Sequence, residues 1–194
     1  MDVLKVFLPA TSVKKIHAWI KELDVNISVV KSRKTKLGDF KVKNGQMFIS
    51  VNCSLNQYAF LITLTHELAH AFVYVEYPYK VRPHGLEWQW MFKSMLLNFL
   101  SADYFPDDIL KALSLHLKKP KASTFSDIFL SLVLQKYDRY KKLTLFELRK
   151  GEKFIDSNGK IFLKGKKIRK RIECVEQQTN KIYFFHPLAE VSVI

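Results

Sequence analysis

The sequence predicts an α+β protein: a small, mostly antiparallel sheet with one long helix and further helices packed around it, then a small C-terminal β module. Three observations predict this. Apolar residues recur at helical spacing through much of the first two thirds of the chain. Short β-branched and aromatic runs lie among them, two of them divided by Asn44-Gly45. After Lys142 the helical period gives way to short strand-like runs separated by turn residues. The chain has 194 residues, 48% hydrophobic and 13% aromatic, which is ample for a packed core and too apolar for disorder.

In chain order, Val13, Ile16, Trp19, Ile20 and Leu23 share one face, so Ser12 to Leu23 is predicted as an amphipathic helix with Lys14, Lys15 and Lys21 outside. Asn26 to Lys31, Phe40 to Lys43 and Gln46 to Asn52 follow as strands. Asn44-Gly45 joins the last two, because both residues tolerate positive φ. Leu55 to Glu76 is a long apolar helix ended near Pro78, and Tyr77 to Pro83 is a loop. Leu86 to Leu100 is a second helix, dense in Trp, Met, Leu and Phe and expected to be buried on most sides. Pro106-Asp107-Asp108 opens a third, with the proline and acids that first turns favour. Lys118 to Ser123 reads as a linker and Phe125 to Tyr137 as one more helix. The β module is expected to use Lys153 to Asp156, Lys160 to Leu163, Lys167 to Val175, Lys181 to Phe185 and Glu190 to Val193, with a hairpin turn at Asn158-Gly159. The expected division is therefore residues 1–118, a connection over 119–142, and a basic β module over 143–194.

Charge is the next informative property. The formal net charge is +14 and the pI about 9.7. Such an excess favours polyanions, above all nucleic acid, through phosphate neutralisation and counterion release. Lys160 to Arg171 contains no acid, and strand alternation would put Lys167, Arg169 and Arg171 on one face with Ile168 and Ile172 on the other. These three are candidate phosphate contacts. A second basic cluster includes Lys34 and Lys36, also candidate nucleic-acid contacts; a solvated outer face is the plainer reading of both clusters. The aromatic residues sit mostly at core spacing and nominate no base-stacking platform. The N-terminus lacks the order of a secretory signal, and no apolar run approaches the roughly 20 residues that span a bilayer. Cys53 and Cys174 are far apart and form no CxxC pair, as expected of free thiols in a reducing cytoplasm. A cytoplasmic protein without a membrane partner is the expectation.

The decisive segment runs from Leu61 to Val73 and contains His66-Glu67-Leu68-Ala69-His70. Residues four apart share a helix face, so His66 and His70 can present two imidazoles to one ion. Glu67, one step round, can reach a water at that ion without ligating it, as in zinc peptidases. The plain alternative is two core histidines with Glu67 in an ion pair. A catalytic zinc needs a third protein ligand and one open position. A metzincin continuation would require glycine and histidine where Val73 and Glu76 stand, so that class is excluded. His84, just past a Pro-punctuated loop, is the best third donor, with Gly85 allowing the chain to turn sharply into the next helix. Glu87 is the competing ligand, but its place in that helix better suits holding a ligand imidazole.

Thr63-Leu-Thr-His-Glu-Leu-Ala-His-Ala71, followed by His84-Gly-Leu-Glu-Trp-Gln-Trp90, resembles the SprT-like family, which includes bacterial SprT proteins and the metazoan protease Spartan. Lys36-Leu-Gly-Asp-Phe40 and Ile49-Ser-Val-Asn52 are similar to the strand region that precedes the motif in that family. The resemblance covers residues 3–105. It implies a zincin-like domain, one zinc ion held by His66, His70 and His84, and Glu67 as the catalytic base. It also implies nucleic-acid association and, from Spartan, cleavage of proteins crosslinked to DNA. Many members end in a zinc ribbon with paired cysteines, whereas Cys174 here stands alone, so a second, structural zinc is not expected.

The sequence-based expectation is thus a nucleic-acid-associated zinc endopeptidase acting on a protein substrate. A strand edge, with Gln46 to Asn52 as candidate, would hold substrate backbone by β-augmentation. The alternatives are a non-proteolytic zinc protein of the same fold that binds nucleic acid, and a zinc peptidase with an ordinary soluble substrate.

Overall fold

The computed structural model describes residues 2–33, 35–77, 79, 81–118 and 127–194. The chain divides into two compact units, Met1–Arg139 and Tyr140–Ile194. Among the described residues no helix is long and apolar enough to cross a membrane.

The first unit opens with a short helix α1 (Leu4–Phe7), a 3-10 turn (Ala10–Ser12) and α2 (Val13–Leu23). Asp24 ends α2 in the left-handed region, at φ 48°, and releases the chain into β1 (Asn26–Val30). β2 (Gly38–Lys43) and β3 (Gln46–Asn52) form the hairpin expected from Asn44-Gly45, which sit at φ 50° and 76°. The sheet order is β1-β3-β2, with β1 parallel and β2 antiparallel to β3. The expected antiparallel character therefore holds for one of two pairings. The loop after β1 carries the chain to the far side, so β3 returns between its neighbours and is paired on both edges. That rules out Gln46–Asn52 as a receiving edge for an added strand.

That loop is fastened by side chains. Asn52, 1% exposed, donates through Nδ2 to Arg33 O (3.2 Å) and Lys36 O (2.9 Å). Arg33 in turn donates to Asn52 Oδ1 (2.9 Å), Ser50 Oγ (3.0 Å) and Ser50 O (3.2 Å). Part-buried carbonyls are thereby satisfied, and the start of β2 is held in place.

The long helix α3 (Gln57–Glu76) is capped by Asn56, whose Oδ1 accepts from Tyr58 N and Ala59 N. It is apolar on nearly every side because it is buried on nearly every side: Phe60, Leu61, Ile62, Leu64 and Leu68 have no exposure. The sheet and α4 (Leu86–Leu97) both pack on it. α4 stops three residues before the expected end, where Asn98 Nδ2 donates to Ser94 O (3.0 Å) and Met95 O (3.1 Å). α5 (Asp107–His116) and α6 (Ile128–Gln135) pack together, with His116 Nδ1 and Asp127 Oδ2 3.0 Å apart. Of the expected linker and the start of the following helix, residues 119–126 lie outside the described residues.

The second unit is a five-stranded antiparallel sheet of order β7-β6-β5-β4-β8. Its strands are β4 (Lys153–Ile155), β5 (Ile161–Ile168), β6 (Arg171–Glu176), β7 (Ile182–Phe185) and β8 (Ser192–Val193). Its core is built on Leu145, Leu148, Phe154, Phe162, Ile172 and Cys174. The strand expected over Lys167 to Val175 is divided instead. Lys167 and Ile168 end β5, Arg169 sits in the turn at φ 53°, and Arg171 opens β6. A bulge between Lys164 and Lys167 brings Lys167 opposite Ile172 and Ile168 opposite Arg171. Paired residues share a sheet face, so Lys167 and Arg171 fall on opposite faces and the predicted single row does not form. Lys164 turns inward, 9% exposed, and its ammonium donates to the carbonyls of Phe146 and Leu148.

Candidate metal centre

The candidate centre lies where α3 meets the start of α4. Helical geometry sets His66 and His70 on one face of α3, one turn apart. His84 joins them from the residue before the N-cap of α4, in the left-handed region at φ 58°. The sharp turn is thus made at His84 and not at Gly85, whose φ is an ordinary −66°. Gly85 is needed for space: a Cβ there would stand 2.9 Å from Arg82 O and 3.0 Å from Glu87 Oε2. Gln89 Nε2 donates to His84 O at 3.0 Å and steadies the strained residue.

The three rings converge through their Nε2 atoms. His70 and His84 are 3.1 Å apart at these nitrogens, and His84 and His66 are 3.2 Å apart. Two nitrogens each about 2.1 Å from a tetrahedral ion would lie roughly 3.4 Å apart, so the spacing fits one small cation. Among the described residues these three form the one such group of potential ligands. Burial, with the neighbouring His70 and His84 adding to it, lowers His66 from 6.5 to about 2. Burial and then His84 lower His70 to about 4, and burial lowers His84. All three are therefore neutral at pH 7, the form that ligates. Nitrogen-only donors at this spacing suit a transition-metal ion such as zinc, copper, iron or nickel and do not suit calcium or magnesium.

Trp88 underlies the cluster. It is 1% exposed, its ring lies 4.5, 5.2 and 4.7 Å from those of His66, His70 and His84, and its Nε1 donates to His66 O at 3.4 Å. Phe92 stacks on Trp88 at 5.0 Å and also meets the His66 ring at 5.6 Å. This aromatic floor restricts how the imidazoles can turn.

Glu67, 7% exposed, points from α3 toward the start of β2. An ideal Cβ on Gly38 would be only 2.5 Å from Glu67 Oε1, so the carboxylate occupies the space that a side chain there would fill. Burial, reinforced by Asp39, pushes Glu67 from 4.5 up to about 8 against Arg33, the Phe40 N–H and Lys36. A divalent cation nearby would favour its carboxylate form.

The remaining sequence-predicted residues are more dispersed. Glu87 makes no hydrogen bond to the three rings among the described residues; its Oε2 lies toward Gly85. Lys36 is paired with Asp39 at 2.9 Å, and Lys34 lies outside the described residues. Lys167, Arg169 and Arg171 are exposed in the second unit, and Arg171 donates to Phe184 O at 3.2 Å. Sequence reasoning did not assign Gly38 or Trp88 to the site. A glycine opening a strand is the signal that could have exposed the first, since it marks close approach by another group. Trp88 was visible only as part of a motif.

No curated protein and no solved structure matches the chain. Residues 12–105 match the model of the SprT-like family.

Proposed function

Residues 12–105 belong to the SprT-like family, and from that premise we propose that the chain is a zincin-like, zinc-dependent endopeptidase acting on proteins associated with nucleic acid. Membership points to a metal-dependent protein of metallopeptidase type. The observation that carries the finer reading is the convergence of three neutral imidazoles, at 3.1 and 3.2 Å, beside a buried glutamate on the same helix.

His66, His70 and His84 would hold the zinc, three protein donors being what a catalytic tetrahedral site uses. When bound, zinc supplies Lewis acidity, polarising a carbonyl oxygen and making water nucleophilic near neutral pH. Glu67 takes the proton of the attacking water and returns it to the leaving amine. Gly38 leaves its carboxylate the room to do so. β2 is an outer strand of its sheet, and among the described residues its second edge is unpaired. A substrate segment added along that edge would pass beside Glu67, with its backbone held by main-chain hydrogen bonds. Such a mode reads few side chains.

The nucleic-acid part of the proposal is supported by charge. Residues 140–194 contain 13 Lys and Arg against 6 Asp and Glu, a net +7 of the chain's +14. Lys167, Arg169 and Arg171 crowd one hairpin, and Lys34 and Lys36 remain proposed contacts in the first unit.

The deciding experiment is cleavage of a DNA-binding protein, with and without DNA and with and without a chelator, by the wild type and by Glu67→Gln. We expect the variant to retain one zinc per chain and lose cleavage, and the chelator to abolish cleavage by the wild type. Equal cleavage by Glu67→Gln would remove that residue from the mechanism. One bound zinc, DNA binding and no cleavage of any offered protein would instead favour the non-proteolytic alternative.

A further inference from the structure

The second unit has a sheet face that its own core does not use. Phe154, Phe162, Ile172 and Cys174 define the buried side. The alternation of the strands sends Leu163, Val175, Ile182 and Phe184 to the other side. Leu163 pairs with Val175 and Val175 with Ile182, so an apolar row crosses three strands. Ile182 is 58% and Phe184 50% exposed, unusual for large apolar residues standing side by side.

Cations border this row. Arg171 lies on the same face as Phe184, two residues along β6 from the partner of that phenylalanine, and its guanidinium is held by the Phe184 carbonyl at 3.2 Å. Lys153, exposed, stands opposite Leu163 at the other end. Beyond Arg171 stand Lys166, at the bulge of β5, and Arg169 and Lys170, in the β5–β6 turn, all exposed and, among the described residues, without an acidic partner; Lys167, paired with Ile172 on the opposite face, is no part of this border. The acids of this unit are engaged elsewhere: Glu147 with Thr144, Glu152 with Arg149 N, Asp156 with its own turn, Glu176 with Lys160 and Glu190 with Lys142. The exception is Glu173, half-buried opposite Phe184, where it can accept from the amino edge of a base.

An apolar row with an exposed aromatic ring, bordered by unneutralised cations, matches a polymer with flat apolar faces and an anionic backbone. A duplex hides its base faces, so it would engage the cations and leave Phe184 without a role. A single strand engages both. We infer that this face of the second unit binds single-stranded nucleic acid, with a base stacked on Phe184, the next bases across Ile182 and Val175, and phosphates on Arg171 and the β5–β6 turn. The inference rests on the nucleic-acid association proposed above and names its strandedness and its site.

The test uses the full chain carrying Glu67→Gln, so that self-cleavage cannot interfere. Fluorescence anisotropy would compare a labelled oligothymidylate with a mixed-sequence duplex of equal length at low salt. The single strand is expected to bind at least about 10-fold more tightly. Phe184→Ala should cost about 5- to 100-fold on the single strand and little on the duplex. Phe184→Leu, which keeps apolar area without the ring, should fall between. Replacing Lys166 and Lys170 together by alanine should weaken both ligands and flatten the salt dependence by about 0.7 per lost contact on the single strand. Photocrosslinking of a bromodeoxyuridine strand to the chain with an unaltered second unit should map to β6 and β7. Duplex binding as tight as single-strand binding, an unchanged Phe184→Ala affinity, crosslinks confined to the first unit, or no binding at low salt would each overturn the inference. Binding needs neither zinc nor Glu67. Retained binding without cleavage by the wild type therefore strikes only the peptidase reading, and retained cleavage without binding strikes only this one.

Discussion

Gly38 and Glu67 meet so closely that a single methyl group separates two outcomes. Gly38→Ala would drive a Cβ to within 2.5 Å of Glu67 Oε1 and displace the carboxylate. The expected result is a fall in cleavage of at least about 10-fold, the scale of a mispositioned general base, with zinc content unchanged by elemental analysis. Loss of zinc together with activity would mean that Gly38 supports the whole centre and not Glu67 alone. Trp88 acts on the three histidines instead. Trp88→Ala removes the buried floor beneath three rings and should cost about 3–5 kcal/mol of stability in urea unfolding, with weaker zinc retention; an unchanged unfolding midpoint would contradict it. The histidines make a pH prediction. Their folded-state affinity for protons is depressed, from 6.5 to about 2 for His66 and to about 4 for His70. Protons therefore bind the unfolded chain first, so their contribution to metal-free stability is complete above pH 6.5 and is lost as pH falls, toward 4 for His70 and on toward 2 for His66. In chelator, the urea midpoint should drop across that interval, and less steeply in His66→Gln.

Among the elements, the loop after β1 matters more than its polar composition suggests. It delivers the chain to the outer side of the sheet, so that β2 and not β3 has the unpaired edge beside Glu67. Asn52 and Arg33 hold it there by reciprocal hydrogen bonds. Asn52→Ala would leave the part-buried carbonyls of Arg33 and Lys36 without their donor and remove a side chain that is itself almost wholly buried. A loss of about 2 kcal/mol is expected in equilibrium unfolding, with cleavage reduced and zinc retained. A neutral substitution would show that the loop holds its course without Asn52. The β5–β6 hairpin shows how a local irregularity changes the reading of charge. One bulge and one two-residue turn convert an apparent alternation of cations into a cluster around a tip. Strand periodicity alone could not reveal this, because a register slip of one residue exchanges the faces.

At the scale of the whole molecule, each unit has its own hydrophobic cluster, and residues 140–194 carry net +7 of +14. A chain ending at Arg139 is therefore expected to fold and bind one zinc while losing most of its salt-sensitive affinity for nucleic acid. Filter binding across a salt series and zinc analysis would check it; undiminished affinity would place the contacts in the first unit. The two α3 histidines of the candidate centre were legible in the sequence because the helical period alone brings residues four apart to one face. His84 was legible through its neighbours, since a Pro-punctuated loop before a helix can return a side chain to the preceding one. The change to a β module was legible as a change of period, and the Asn44-Gly45 turn as a demand for positive φ. Other features depended on contacts between segments distant in the chain: the central position of β3, the space Gly38 leaves for Glu67, the Trp88 floor, and the inward turn of Lys164. Local sequence determines which dihedrals and faces each segment prefers, and those preferences act within a few residues. Which strand lies between which others, and which side chain fills which gap, is decided by packing the assembled surfaces, and that information exists only once the chain has folded.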